Sequence, residues 1–172
     1  APLIEEQAGH RGLADRTGAE RVAEKVFGGA AAILAVSREV AEYLRRYPEA
    51  RDRVHVVPNG VNAGRFPEGL EPALPRERGT FTVGFVGTLK PWHGLGTLVE
   101  AFAALHREDP DARLLVVGDG PERENMERGL SERGLLGAVR FTGSVAPEEI
   151  PGLLAAMDAA VAPYPAREGF YF

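Results

Sequence analysis

The chain reads as an α/β protein, a parallel sheet with helices on its faces. Three observations predict that class. Continuous apolar runs recur at 81–86, 114–117, 139–141 and 159–162, as expected of strands covered on both faces. Helical stretches separate them, at 95–106, 121–133 and 147–157, and strand–helix alternation means parallel pairing through crossovers. Glycine follows the first three runs, at Gly87, Gly118 and near the third at Gly143, where a strand hands over to a loop.

The earlier part of the sequence is less regular. Residues 1–17 are polar and weakly patterned, a frayed end or a loop. Residues 17–28 predict a helix with Val22, Val26 and Phe27 on its inner face. AAAILAV at 30–36 predicts a buried strand. Ser37 is a plausible N-cap for a helix through Arg46, with Val40, Ala41 and Leu44 turned inward. Residues 54–57 form another short strand, closed by the turn signal Pro58-Asn59-Gly60. Residues 62–79 hold several prolines and glycines and no apolar period, the pattern of a linker over a surface.

Composition narrows the function. The 172 residues, 44 % hydrophobic and 26 % charged, suit one ordinary domain or slightly more and argue against disorder. A net charge of −5 speaks against a nucleic-acid partner, which would need a basic surface. Cysteine is absent, which removes disulfides, thiol nucleophiles and thiolate metal sites. No apolar run approaches the roughly 20 residues that span a bilayer. The opening APLIEEQAGH has no basic start and no long apolar core, so no signal peptide and a cytoplasmic location are expected.

The chemistry is expected where the strands end, since ligands of parallel sheets sit at their carboxyl edge. FTVGFVGTLKPWHG, residues 81–94, runs from a strand through a loop into a helix. Such a loop aims backbone N–H groups and a helix dipole at one spot suited to phosphate. Lys90 adds a full charge there, and Lys25 is the only other lysine. Gly118-Asp119-Gly120-Pro121 and Gly143-Ser144-Val145 supply two further loops. Each alone is more simply a turn. Three in succession, with Lys90 in the first and Glu168 after the fourth strand, favour a ligand site. GDGPER lacks the third glycine of a dinucleotide fingerprint, and Lys90 lacks the neighbours of a P-loop lysine. His10, His55, His93 and His106 show no metal spacing. His55 is expected to face solvent, and His106 to cap a helix or sit at the surface.

The order and spacing of several short motifs carry a resemblance. Val57-Pro58-Asn59-Gly60-Val61-Asn62 with Phe66, then FVGTLKPWHG, VVGDGPER, VRFTGSV with Glu148-Glu149, and finally Glu168-Gly169-Phe170 resemble the retaining GT-B glycosyltransferases of family 4, the glycosyl transferases group 1. The likeness runs from about residue 30 to the end. It implies a Rossmann-like, incomplete GT-B fold. Residues 1–60 would be the last part of the N-terminal, acceptor-side domain, 61–80 the interdomain linker, and 81–172 the first part of the donor-binding domain. The chain is thus expected to be a fragment of a longer protein.

The resemblance implies an enzyme of hexosyltransferase type, transferring a sugar with retention from a nucleotide-sugar donor to a sugar, lipid or small-molecule acceptor. No cofactor or metal is implied, and any membrane contact would be peripheral, through a preceding N-terminal region. Residues 1–172 alone are expected to be inactive. Gly87 and Thr88 match the diphosphate loop, Gly118, Gly120 and Pro121 the turn after the second strand, and Ser144 and Val145 the backbone that lies against the base. Glu168, with Gly169 and Phe170, matches the motif that contacts sugar hydroxyls. Lys90 and Glu168 are the catalytic candidates. The family usually places Arg where Thr88 stands and Lys where His93 stands, so Lys90 and a protonated His93 are the available substitutes. That double loss supports the rival reading, a non-catalytic nucleotide- or partner-binding α/β module.

Overall fold

In the computed structural model of the protein, residues 15–75 and 78–164 are described. The chain forms two compact units that meet in sequence between Val61 and Asn62.

The first unit begins with α1, Arg16–Gly29, whose N-cap Asp15 accepts a hydrogen bond from the Gly18 amide at 2.7 Å. Strand β1 (Ile33–Ala35), helix α2 (Arg38–Leu44) and strand β2 (Val54–Val56) then make one crossover, with β1 and β2 parallel. Ser37 caps α2 as expected, its hydroxyl oxygen accepting from the Val40 amide at 3.2 Å. Ile33, Ala35, Ala41, Tyr43, Leu44, Ala50 and Val54 form the core of the unit. The Arg53 guanidinium donates to the carbonyls of Gly28, Ala30 and Glu49, binding the end of α1 to the segment before β2.

Two expectations are corrected here. Val22 and Val26 are not inner residues of α1: they are 62 % and 58 % exposed. Ala23 is buried instead, and Phe27 packs edge-on against Tyr47 with ring centroids 4.9 Å apart. The inner stripe is rotated because the aromatic contact, not the valines, anchors the helix. The run 30–36 is likewise not covered on both faces, since Leu34 and Val36 are exposed while Ile33 and Ala35 are buried.

The second unit opens with residues 62–80, read from sequence as a linker. They include a 3-10 turn, Ala63–Arg65, capped by Asn62. The Ala73 amide donates to the Gly152 carbonyl at 2.8 Å, and Leu74 packs into the sheet's core. Strands β3 (Phe81–Val86), β4 (Ala112–Val117), β5 (Val139–Gly143) and β6 (Ala159–Ala160) form one sheet, ordered β5-β4-β3-β6 and parallel throughout. Helices α3 (Leu95–Glu108) and α4 (Arg123–Ser131) cover one face, where Leu98, Phe102, Met126 and Leu130 meet Phe85, Leu114 and Val116. Helix α5 (Ile150–Ala155) covers the other, with Leu153, Ala156 and Met157 against Leu115 and Val117. Strand β4 is thus apolar on both faces, which explains its unbroken run.

The chain steps outward from β3 to β4 to β5, then returns to pair β6 with the far side of β3. That reversal puts a topological switch point at the carboxyl ends of β3 and β6, the place where open parallel sheets bind ligands. Among the described residues no helix is long and apolar enough to cross a membrane.

Tyr47 yields a test of the first unit. Its hydroxyl donates to Glu20 Oε2 at 2.6 Å. Burial first, then this bond, hold the phenol's pKa above its ordinary value. The folded pKa exceeds the unfolded one, so the contribution is complete below about pH 10 and is lost as pH rises beyond it. The stability difference between the wild type and Tyr47→Phe, measured by denaturant melts, is therefore expected to shrink above about pH 10. A difference that grows with pH would contradict the assignment.

Candidate functional site

Backbone bonds tie the three glycine loops together. The Gly87 amide extends the β3–β4 ladder to the Val117 carbonyl at 2.9 Å. Leu89 is then clasped by the second loop: its amide donates to the Asp119 carbonyl at 2.9 Å and its carbonyl accepts from the Glu122 amide at 3.1 Å. The Leu89 side chain is fully buried, so Thr88 and Lys90 on either side are fixed in position. On the other flank the Gly118 amide donates to the Gly143 carbonyl at 3.0 Å. Val116 faces Phe141 while Val117 faces Gly143, so Thr142 is the extra residue of a bulge that swings the third loop toward the second.

Gly118 is where these loops meet, and its lack of a side chain is obligatory. Its φ is +130°, and an added Cβ would lie 2.0 Å from the Gly87 carbonyl oxygen. At Gly120 a Cβ would come within 2.5 Å of the Leu89 carbonyl oxygen. The predicted glycines therefore let one loop cross against another.

After Lys90 the chain makes a 3-10 turn, Pro91–His93, and enters α3 through Gly94. No side chain caps α3. Gly96 in its first turn has free space on its Cβ side, an added Cβ meeting nothing within 4 Å. The positive end of a 14-residue helix is of a kind that suits an anion. Lys90 is half-buried, with Nζ 5.8 Å from the centre of the Trp92 ring. Among the described residues no carboxylate pairs with it.

His93 is built into the loop. Its Nδ1 lies 2.5 Å from the Thr88 carbonyl oxygen. A carbonyl only accepts, so Nδ1 carries the proton and only Nε2 is left for another partner. The ring packs beside Phe85, with centroids 5.9 Å apart, and edge-on to Tyr164 at 5.2 Å. Tyr164 follows β6, so this contact lies beside the point where strand order reverses.

Of the predicted residues, Gly87, Thr88, Lys90, His93, Gly118 and Gly120 belong to these interlocked loops. Ser144 and Val145 follow directly from Gly143; Ser144 is exposed, and Val145 packs toward α5. Glu168, Gly169 and Phe170 lie outside the described residues. His55 is exposed, whereas His106 is half-buried, with Nδ1 3.1 Å from the Ala112 carbonyl. Among the described residues no three His, Asp or Glu side chains gather as metal ligands. A cavity of about 200 Å³ lies elsewhere, against the opening residues of the strands, and is lined by Thr80, Thr82, Arg113 and Val139. Arg140 lines it too, and Arg113 bonds through Nη1 to the Pro110 and Ala112 carbonyls.

Sequence reading missed Arg123, the first residue of α4. Its Nε donates to Glu127 at 2.9 Å, and its guanidinium lies 4.9 Å from the centre of the Phe141 ring in β5. The spacing Asp119, Arg123, Glu127 was the available signal, an arginine flanked by acids one helical turn away on each side.

Known proteins are similar to this chain. Residues 80–172 match the family model of glycosyl transferases group 1, and residues 8–65 match that of glycosyltransferase family 4. The chain is 36 % identical over 143 residues to the 2-deoxystreptamine glucosyltransferase of Streptomyces kanamyceticus, covering 78 % of this chain and 37 % of that protein. It is 30 % identical over 164 residues to a GDP-mannose-dependent phosphatidylinositol monomannoside mannosyltransferase of Mycolicibacterium smegmatis, covering 81 % and 43 %. The crystal structure of Anabaena HepE in complex with UDP and glucose superposes with a TM-score of 0.69 at 24 % identity, over 87 % of this chain and 42 % of HepE. The chain therefore spans less than half the length of these relatives. With more than half of its own residues inside one family model, it belongs to the glycosyl transferases group 1.

Proposed function

We propose that the protein transfers a sugar from a nucleotide-sugar donor to an acceptor hydroxyl, with retention of anomeric configuration, and that residues 81–164 carry part of the donor site. The observation that carries this reading is the interlocking of three glycine loops before the N-terminus of α3, which no described side chain caps. The glucosyl- and mannosyltransferase relatives support it, the latter named for dependence on GDP-mannose. The setting proposed is the cytoplasm. The acceptor, whether sugar, lipid or small molecule, would be held by other parts of the protein.

In this reaction the bond between the anomeric carbon and the diphosphate oxygen breaks, and its electron pair stays with the diphosphate. The acceptor oxygen forms the new bond to that carbon and gives up its proton to the departing diphosphate oxygen. The site must therefore answer charge that grows on the leaving group. The dipole of α3 contributes roughly 0.3–1 kcal/mol. A charge-assisted hydrogen bond from the Lys90 ammonium contributes about 1.5–3 kcal/mol, so Lys90 outweighs the helix. Thr88 offers no charge. His93 adds one only when Nε2 is protonated, because Nδ1 is committed to the Thr88 carbonyl. Gly87 and Thr88 are assigned to the diphosphate, Gly118 lets the first and second loops cross, and the 144–145 backbone is assigned to the base. Glu168 is assigned to the sugar hydroxyls.

Incubating the intact protein with UDP- and GDP-sugars tests this reading. Donor consumption with transfer or hydrolysis is expected. Nucleotide binding without turnover would assign the protein to the non-catalytic class. In the intact protein Lys90→Ala is expected to lower turnover about tenfold or more, and unchanged kinetics would remove Lys90 from the mechanism. Gly118→Ala forces a Cβ into the Gly87 carbonyl. It is expected to cost about 1–3 kcal/mol of stability and to abolish nucleotide binding, read by thermal melts with and without nucleotide.

A further inference from the structure

The Arg123 guanidinium is held from three directions. Nε donates to Glu127 Oε1 at 2.9 Å, one turn along α4. Nη1 lies 3.9 Å from Asp119 Oδ2 in the preceding glycine loop. The guanidinium carbon sits 4.9 Å from the centre of the Phe141 ring in β5. Its side chain is 29 % exposed. An ordinary helix-surface arginine needs only the Glu127 contact. The other two reach a second loop and a second strand.

What the guanidinium touches next gives the arrangement its meaning. Two residues beyond Phe141, the chain turns at Gly143, where φ is +70°. A Cβ there would lie 3.9 Å from Arg123 Nη1 and 4.0 Å from Asp119 Oδ2. The ion pair therefore lies against the turn from which residues 144–145 depart. The same turn is bonded to Gly118 from the other side. A planar guanidinium can lay its face on an aromatic ring while its edge reaches two carboxylates, and a lysine ammonium cannot do both.

We infer that Arg123 is a positioning residue for the base-binding side of the donor site: it braces the Gly143 turn against the second glycine loop and so fixes the backbone of residues 144–145. The inference rests on the donor-site reading above. It separates two halves of one ligand. The diphosphate is assigned to the 87–94 loop and α3, while the base depends on the braced turn.

Titration of the intact protein with UDP, GDP and inorganic pyrophosphate tests this. Arg123→Lys is expected to weaken binding of the preferred nucleoside diphosphate about fivefold or more, with pyrophosphate affinity kept within about twofold. Phe141→Leu removes the ring beneath the guanidinium and is expected to shift the same ratio in the same direction. Equal losses for nucleotide and pyrophosphate, or no loss for either, would overturn the positioning role. A wild-type protein that binds pyrophosphate but neither nucleotide would instead refute the donor reading, and this inference with it.

Discussion

The site depends on one constraint, the pairing of Leu89 with the backbone of the second loop. Leu89 donates to Asp119 and accepts from Glu122, while its side chain is sealed in the core. A strand-to-helix loop is ordinarily mobile and exposed. Here the middle of the first loop is anchored as firmly as a strand. Thr88 and Lys90 flank that anchor, so their directions are set by the core itself. Gly118 and Gly120 permit the close crossing, since a side chain at either would occupy the space of the first loop's carbonyls.

The same geometry clarifies what replaces the family's usual cations. Thr88 brings a hydroxyl and no charge. His93 acts first as a strut, with one nitrogen on the Thr88 carbonyl and its ring between Phe85 and Tyr164. It stabilises the loop's shape whether or not it is charged. Lys90 is left as the permanent cation of that loop, resting over Trp92. Such a loop gains rigidity from aromatic packing and concentrates its charge in one flexible ammonium.

Much of the second unit's architecture was legible because its signals are local. Continuous apolar runs fixed the existence and order of β3 to β6, and glycines marked the loops. Boundaries were less legible. The helix read at 121–133 starts only at Arg123, because the Glu122 amide is drawn to Leu89, a partner far away in sequence. The helix read at 147–157 shortens to Ile150–Ala155, since the Glu149 carboxylate folds back onto the Ala146 amide. In α1 the helical period was correct but the inner stripe was not. Valines look like core residues on hydropathy alone, whereas Phe27 against Tyr47 decides the rotation. Arg123 was overlooked because Phe141, the partner that distinguishes it from a surface arginine, comes near only through the packing of α4 beside β5.

The crossing at Gly118 also bears on how the chain reaches its final form. Residues 87, 118 and 143 belong to three successive crossovers, and the bonds among them need β3, β4 and β5 all in register. Neither a nascent hairpin nor a solitary helix can assemble them. Contacts so distant along the polypeptide form late in folding. The pocket should therefore be absent from collapsed intermediates and emerge only as the sheet is completed, so that ligand affinity would report maturation of this unit.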